Sequence, residues 1–403
     1  MDANLLKLFL SMCRNLSVRK SCQHRPARSS FKPSLEQFTD DRTLLNATPL
    51  HAVLPPMPLT NPVTSHGALL PSITIQNQQT SLADQVIPSA TFNTVTPTQS
   101  HSKLQLIVDG GPVFAMSSDL KMPVIHVHAH LTGIDPSLSS TVRFTWTTQV
   151  IYHASDSTNP NARDVIGPVL KVIAGKDYTP QFDKIRGGDL TISVSATVAG
   201  KTLTAQSSRL RIIGANPSVA QLNAYIDTHA IPGNYPKESK YDYHKILHQI
   251  ASWESSGGKQ FLPDGSPKWS HDKPALFGAG IMQITPASDD EIWNWKVNID
   301  DGIRIFNAKL SDAVGYPARV AVKTHGELNA AKNRLHLTSV VIEPFGPDRI
   351  VREAIQRYNG GVLYRIARDS HGRPTITIHG STGVATWVEG GNGYLNDVLS
   401  QPG

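Results

Sequence analysis

Cysteine is nearly absent: the chain of 403 residues contains two, Cys13 and Cys22, both near its start. No disulfide framework therefore holds anything beyond residue 22, and folded regions must stand on apolar cores. Long apolar runs are missing as well. The opening MDANLLKLFLSMCRNLSVRKS contains a short one, broken by Lys7 and followed by basic residues. A bilayer span needs about 20 apolar residues, so this segment is too short to cross a membrane, and it makes a poor secretory signal. Charge is absent from one long stretch, since Asp84 is the only charged residue between Arg42 and Lys103. That stretch is built of Pro, Thr, Ser, Asn and Gln, as in VLPPMPLTNPVTS. Such a composition offers too little contiguous apolar surface to offset the entropy of ordering, so residues 1–103 are expected to form a low-complexity, largely disordered tether.

The formal net charge is +6, and it is unevenly spread: +4 up to residue 104, +2 from 105 to 215, and zero beyond. Basicity in the tail and the middle suits attraction to an anionic wall, a lipid headgroup layer or nucleic acid. No interleaving of basic and aromatic residues supports the last of these, and no nucleic-acid partner is expected.

From Leu104 to about Ile213 the hydrophobic period is two. KLQLIVDG, VIHVHAHLTG, VRFTWTTQVIYHA, LKVIAG, LTISVSATVAGKTLTAQ and SSRLRIIG are rich in Val, Ile, Thr and aromatics and are divided by Gly, Pro, Asp and Asn turns. Six or seven short strands in this length predict an all-β sandwich of immunoglobulin-like type over residues 104–214, with Trp146 as the buried tryptophan of a central strand and no disulfide beside it. His126, His128 and His130 alternate and so share one strand face. A metal site there would need further ligands; without a Cys or a neighbouring carboxylate cluster in the sequence, a solvated face is expected and no metal is assigned.

Beyond GANPS the period lengthens. Tyr243, Ile246, Leu247, Ile250 and Ala251 recur at i, i+3 and i+4, and one more turn of that stripe falls on Glu254. A carboxyl on that face is expected to be buried, which disfavours its charge and suits a proton donor. Gly257 and Gly258 are placed to end the helix in a left-handed cap and open a cleft after the acid. The plain alternative is a helix-end Glu in solvent or paired with a base.

Four short motifs follow the same order as in a known family: Glu254-Ser255, Gly280-Ile281-Met282-Gln283, the helix start NIDDGIRIFNAKL from Asn298, and Tyr358-Asn359-Gly360-Gly361. On these, the segment from Ser218 to the C-terminus resembles the soluble lytic transglycosylases and, more distantly, goose-type lysozyme. The resemblance implies a mainly α, lysozyme-like (α+β) catalytic domain over residues 215–403, so that the whole chain reads as multidomain. It also implies that Glu254 is the acid and then the base of glycoside cleavage, without a cofactor. Ser255 is implied beside that carboxyl or the substrate acetamido group. Met282 and Gln283 would line the cleft, and Tyr358 and Asn359 would orient Glu254 and the sugar. Tyr394 echoes a terminal tyrosine of the family. The implied partner is a peptidoglycan glycan strand, cut at the MurNAc-GlcNAc β-1,4 bond, with a 1,6-anhydro end when the sugar's own 6-hydroxyl attacks.

The sequence departs from that family in three places. FLPDGSPKWSHDKP lengthens the stretch between Glu254 and Gly280 and reads as a hairpin with Asp264-Gly265 at its tip, placed to roof the cleft. A second insertion runs from about Tyr316 to Pro347, and Arg357 stands where the family has a small residue. A hydrolase would need a further carboxylate, about 5 Å from the acid if retaining and about 6.5–9.5 Å if inverting. Asp264, Asp272, Asp289 and Asp290 are the candidates, although all suit turns as well. Trp253, Trp269, Trp293, Trp295 and Trp387 supply aromatic surface for sugar rings, while Trp293 and Trp295, two apart, cannot share a helix face, and each reads first as core. Action at the cell wall or periplasm would need a specialised secretion machine, phage delivery or lysis. The alternatives are a muramidase-type hydrolase and a non-catalytic wall-binding or secretion-associated protein that meets wall or phage components through the sandwich.

Overall fold

The computed structural model of the chain describes residues 102–403, apart from 136–140, 155–162, 199 and 271–277. The described residues all belong to one compact unit. The tether expected over residues 1–103 lies outside them but for its last two positions, as do Cys13, Cys22 and Asp272.

The first part is all β. Ten strands, β1 (Lys103–Val108), β2 (Val113–Ala115), β3 (Val127–Thr132), β4 (Phe144–Tyr152), β5 (Val165–Ile166), β6 (Leu170–Ala174), β7 (Asp177–Tyr178), β8 (Gly188–Val198), β9 (Lys201–Gln206) and β10 (Leu210–Ile213), make two sheets. One has the order β1-β3-β7; the other runs β2-β10-β8-β4-β5, with β6 also on β4 and β9 also on β8. Alternation explains the layering: in β4 every second residue from Phe144 to Tyr152 is buried, and β8 follows the same rule from Gly188 to Ala196. Trp146 is fully buried at the centre, its indole donating to the Gly175 carbonyl at 3.0 Å and its ring stacked on Tyr178 at 5.2 Å.

The second part is mainly helical: α1 (Val219–His229), α2 (Tyr243–Ser255), α3 (Asp289–Trp293), α4 (Trp295–Lys323), α5 (His325–Arg334), α6 (Pro347–Tyr358) and α7 (Gly393–Leu399). The expected start near Val219 is marked by a capping box in which Ser218 and Gln221 exchange side-chain bonds with each other's backbone N–H. The expected stripe of α2 is buried, and its helix ends on Ser256 in the left-handed region at φ 57°, one residue before the two glycines. The helix expected from Asn298 begins earlier, at Trp295, because Asn294 caps it by accepting from Lys296 and Val297. It also runs on to Lys323 through Gly315 and Pro317, so the region read as an insertion from Tyr316 starts as helix.

Five short strands complete this part. β11 (Ser339–Ile342), β14 (Thr382–Ala385) and β13 (Ile376–His379) form one sheet, with β11 and β14 parallel, and β12 (Tyr364–Ile366) pairs antiparallel with β15 (Trp387–Glu389). Their small core is Leu328, Ile366 and Ala385. Among the described residues no helix is long and apolar enough to cross a membrane.

The β and helical parts share a core. Phe261, Trp269, Ala279, Ala287, Ile292 and Trp293 belong to the same buried cluster as Trp146, Ile192 and Ile212 of the sheets. The expected hairpin is present, with Leu262 N–H donating to Ser266 and a bridge between Phe261 and Pro267. Its tip, however, does not roof a cleft. Gly265 accepts from Gly214 N–H at 2.9 Å, Asp264 lies 3.7 Å from Arg211, and the Phe261 ring fills the space above Gly214. An apolar ring at the root of the hairpin draws it into the β core.

Candidate active site

α2 brings Glu254 to the end of an apolar stripe, where the carboxyl is half-buried. The Tyr394 hydroxyl, on α7, donates to Glu254 Oε1 at 2.6 Å, a short charge-assisted bond if the carboxyl is ionised. Sequence separation of 140 residues makes this contact invisible to local reading. Tyr358 ends α6 and donates to the Met282 carbonyl at 2.9 Å. Burial pushes the Tyr358 phenol well above its ordinary ionisation range, and the nearby charges of Glu254 and Asp301 add to that rise. Glu254, Tyr394, Tyr358 and the Met282 backbone therefore converge from α2, α7, α6 and the turn before α3.

That turn is held by two buried amides. The Asn298 side chain accepts from Met282 N–H at 2.8 Å and donates to the Ala279 carbonyl at 2.8 Å. Gln260 accepts from Ile281 N–H at 3.0 Å and donates to the carbonyls of Glu291 and Ile292. Gly280 at φ 83° and Gln283 at φ 49° turn the chain between them. A Cβ on Gly280 would meet Asn298 Nδ2 at 2.4 Å and Gln260 Oε1 at 2.5 Å, so glycine is required by both conformation and space. The Met282 side chain is buried against Gly302 of α4.

The remaining expected site residues fall differently. Ser255 is buried and faces away from solvent, donating to the Ala251 carbonyl at 2.6 Å and accepting from Lys259 N–H at 3.0 Å, so it closes the helix end instead of meeting a ligand. The Lys268 ammonium donates to the Ser255 carbonyl, countering the exposed acceptors of that terminus. Gln283 folds its amide back on the Gly280 carbonyl at 2.7 Å. Asn359 is exposed at the end of α6, and its side chain makes no hydrogen bond among the described residues.

Three of the four carboxylates named as second-acid candidates are engaged elsewhere, and the fourth, Asp272, lies outside the described residues. Asp289 pairs with Arg163 and Asp290 with Lys184, both toward the β part, while Asp264 is tied into its own turn by Ser266. The charge of Asp301 acts on the Tyr358 phenol together with that of Glu254. Asp301 also pairs with Arg304 at 2.6 Å and is hydrogen-bonded to Glu291, whose carboxyl is raised first by burial and further by Asp301, against the Ser288 bonds. Asp301 sits inside NIDDG, where its neighbour Asp300, which accepts from Tyr225, looks identical in sequence.

The tryptophans do not line a sugar cleft as a group. Trp269, Trp293 and Trp295 are buried, the first two in the β-side core and the third in the helical core. Trp253 and Trp387 are partly exposed. Arg357 is explained by a buried cluster: it bonds Glu353 at 2.6 Å and Asp312 at 2.5 Å and lies 4.4 Å from the Tyr316 ring centre. Glu353 also accepts from Leu363 and Tyr364 N–H, which pins the chain leaving the Tyr-Asn-Gly-Gly turn to α6.

No group of three or more His, Cys, Asp or Glu among the described residues is placed to hold a metal. His128 instead bridges Asp109 at 2.9 Å and Asp177 at 2.8 Å. No protein-family model matches the chain, and no curated protein matches it either. The resemblance to lytic transglycosylases thus rests on the four motifs.

Proposed function

We propose that the protein is a peptidoglycan lytic transglycosylase that acts at the cell wall or periplasm, with Glu254 as its single acid and base, a lysozyme-like helical part and an immunoglobulin-like β part. The supporting observation is the bond from Tyr394 to Glu254 Oε1 at 2.6 Å, at the mouth of a helix end where Tyr358 also gathers. A tyrosine bonded to one carboxyl oxygen holds the group in a set orientation, as a general acid requires. In this reading Glu254 gives its proton to the glycosidic oxygen as the bond from that oxygen to C1 breaks. The 6-hydroxyl oxygen of the same sugar then bonds to C1, and its proton passes to the Glu254 carboxylate, which restores the acid. Tyr358, locked on the Met282 carbonyl, keeps the opposite wall in place.

The second reading is a muramidase-type hydrolase, which needs a further carboxylate about 5 Å or about 6.5–9.5 Å from Glu254. Digestion of purified peptidoglycan by wild type and by Glu254→Gln, with product ends identified by mass spectrometry, tests both. Anhydro ends lost in Glu254→Gln support the transglycosylase, reducing ends lost in Glu254→Gln support the hydrolase, and undiminished release by Glu254→Gln refutes Glu254 as the acid.

A further inference from the structure

The outward face of the large β sheet is built from hydroxyls. Thr145 on β4 stands beside Ser195 on β8, which stands beside Thr204 on β9; one step along, Thr147 is beside Ser193 and Ser193 beside Gln206. Two rows of polar side chains thus cross three strands in register, about 4.8 Å apart across the sheet and about 6.8 Å apart along it. These six residues and Lys171 of β6, which pairs with Thr147, line an open hollow of about 530 Å³. The floor is hollow because its side chains are short, while the longer Lys171 and Gln206 stand at its ends. The face is half-exposed to exposed, and among the described residues no hydrogen bond uses the side chains of these six.

The composition of the lining narrows what it can hold. Apart from Ile173 of β6, which stands beside Thr145 at the edge, the floor presents short polar side chains, so an apolar helix or a lipid tail has little area to bury there. A single ammonium is too few for a polyphosphate backbone, which is held by several cations. What matches a grid of small groups that both donate and accept is a chain that itself carries hydroxyls and amides at short, regular intervals. We propose that this face is a binding site for an extended polysaccharide strand, separate from the Glu254 site and serving to hold the polymer. That the strand is the wall glycan rests on the function proposed above; the existence of the face does not. Individual hydroxyl pairs bind weakly against water, so the face acts through several contacts at once and through linkage to a second glycan site on the same chain.

The test uses the full chain with Glu254→Gln, so that bound polymer stays intact, and measures co-sedimentation with insoluble peptidoglycan. Adding Thr145→Val, Ser193→Ala, Ser195→Ala and Thr204→Val removes the hydroxyls with little change of shape at surface positions. The single substitution Ser195→Trp fills the hollow instead. Each is expected to weaken retention at least fivefold while leaving the thermal midpoint in place. With Glu254 restored, cleavage of short soluble glycan fragments should persist in both variants, which separates a failed face from a failed catalyst. Retention equal to that of the parent in both variants, or no retention by the parent itself, overturns the proposal whatever the cleavage assay gives.

Discussion

Replacing Arg357 by methionine leaves a buried carboxylate facing a hydrocarbon chain. Glu353 has no exposed side-chain surface and Arg357 only 11%, so their bond at 2.6 Å is made out of water. Breaking a buried pair by removing one partner costs about 3–5 kcal/mol. Glu353 keeps two backbone donors, Leu363 N–H at 2.9 Å and Tyr364 N–H at 3.0 Å, which places the loss near the lower end, about 3 kcal/mol. The second arm, to the 40% exposed Asp312, adds at most about 1 kcal/mol. Burial already holds the Glu353 carboxyl above its ordinary value, against the pull of Arg357, and losing the guanidinium raises it further. The folded variant then binds more protons than the unfolded chain at pH values above the unfolded carboxyl's pKa, so its stability falls as pH rises through that window and then levels off. Urea unfolding followed by tryptophan fluorescence at pH 5 and pH 8 should show a smaller deficit at the lower pH. Glu353→Gln combined with Arg357→Met should recover most of the loss, because the buried charge is gone while the Gln carbonyl oxygen still accepts from Leu363 and Tyr364 N–H. A deficit under about 1 kcal/mol, or one that grows on acidification, would refute the reasoning.

Three further outcomes follow from other contacts. Gly280→Ala combines a left-handed backbone with a clash against two buried amides and should cost at least about 2 kcal/mol, read as a lowered urea midpoint; an unchanged midpoint would contradict the packing of the turn. Tyr394→Phe should leave stability within about 1 kcal/mol but lower kcat/KM on peptidoglycan about tenfold or more, and unaltered kinetics would detach Tyr394 from the acid. The two carboxylates beside His128 raise its pKa above 6.5. Its contribution is therefore complete below that pH and lost as pH rises through the folded value, so the thermal midpoint of wild type should fall across neutral pH more than that of His128→Gln, and parallel pH profiles would count against the bridge.

Much of the strand pattern was legible because alternation is a local signal: KLQLIV, FTWTTQVIY, LTISVSATV and LRII each became a strand. Strands such as β2, β5 and β7 were not, being two or three residues long and set by pairing partners. The stripe of α2 was equally plain, yet its last member, Glu254 in the final turn of the helix, is half-buried and not buried as expected. Helix α4 hid its length behind Gly315 and Pro317, which read as breakers until tertiary packing overrides them. In the candidate site, Glu254, Met282 and Tyr358 could be named from short motifs, whereas Gln260 lies in none, and Asn298 opens NIDDG without that motif showing its bonds to the turn. Ser255 follows the acid on the chain but stands about 100° round the helix from it, and its hydroxyl is bonded to the Ala251 carbonyl and Lys259 N–H.

Trp293 and Trp295, separated by the capping Asn294, are plugs driven in opposite directions. The first meets Tyr152 of the β part, ring centres 5.4 Å apart, and the second meets Tyr225 of α1 at 5.2 Å. Three consecutive residues rivet both layers, so heat or urea should melt them in one cooperative step. Cutting the gene at residue 214 to obtain the helical half alone would leave Phe261, Trp269 and Trp293 facing water, and that fragment should precipitate.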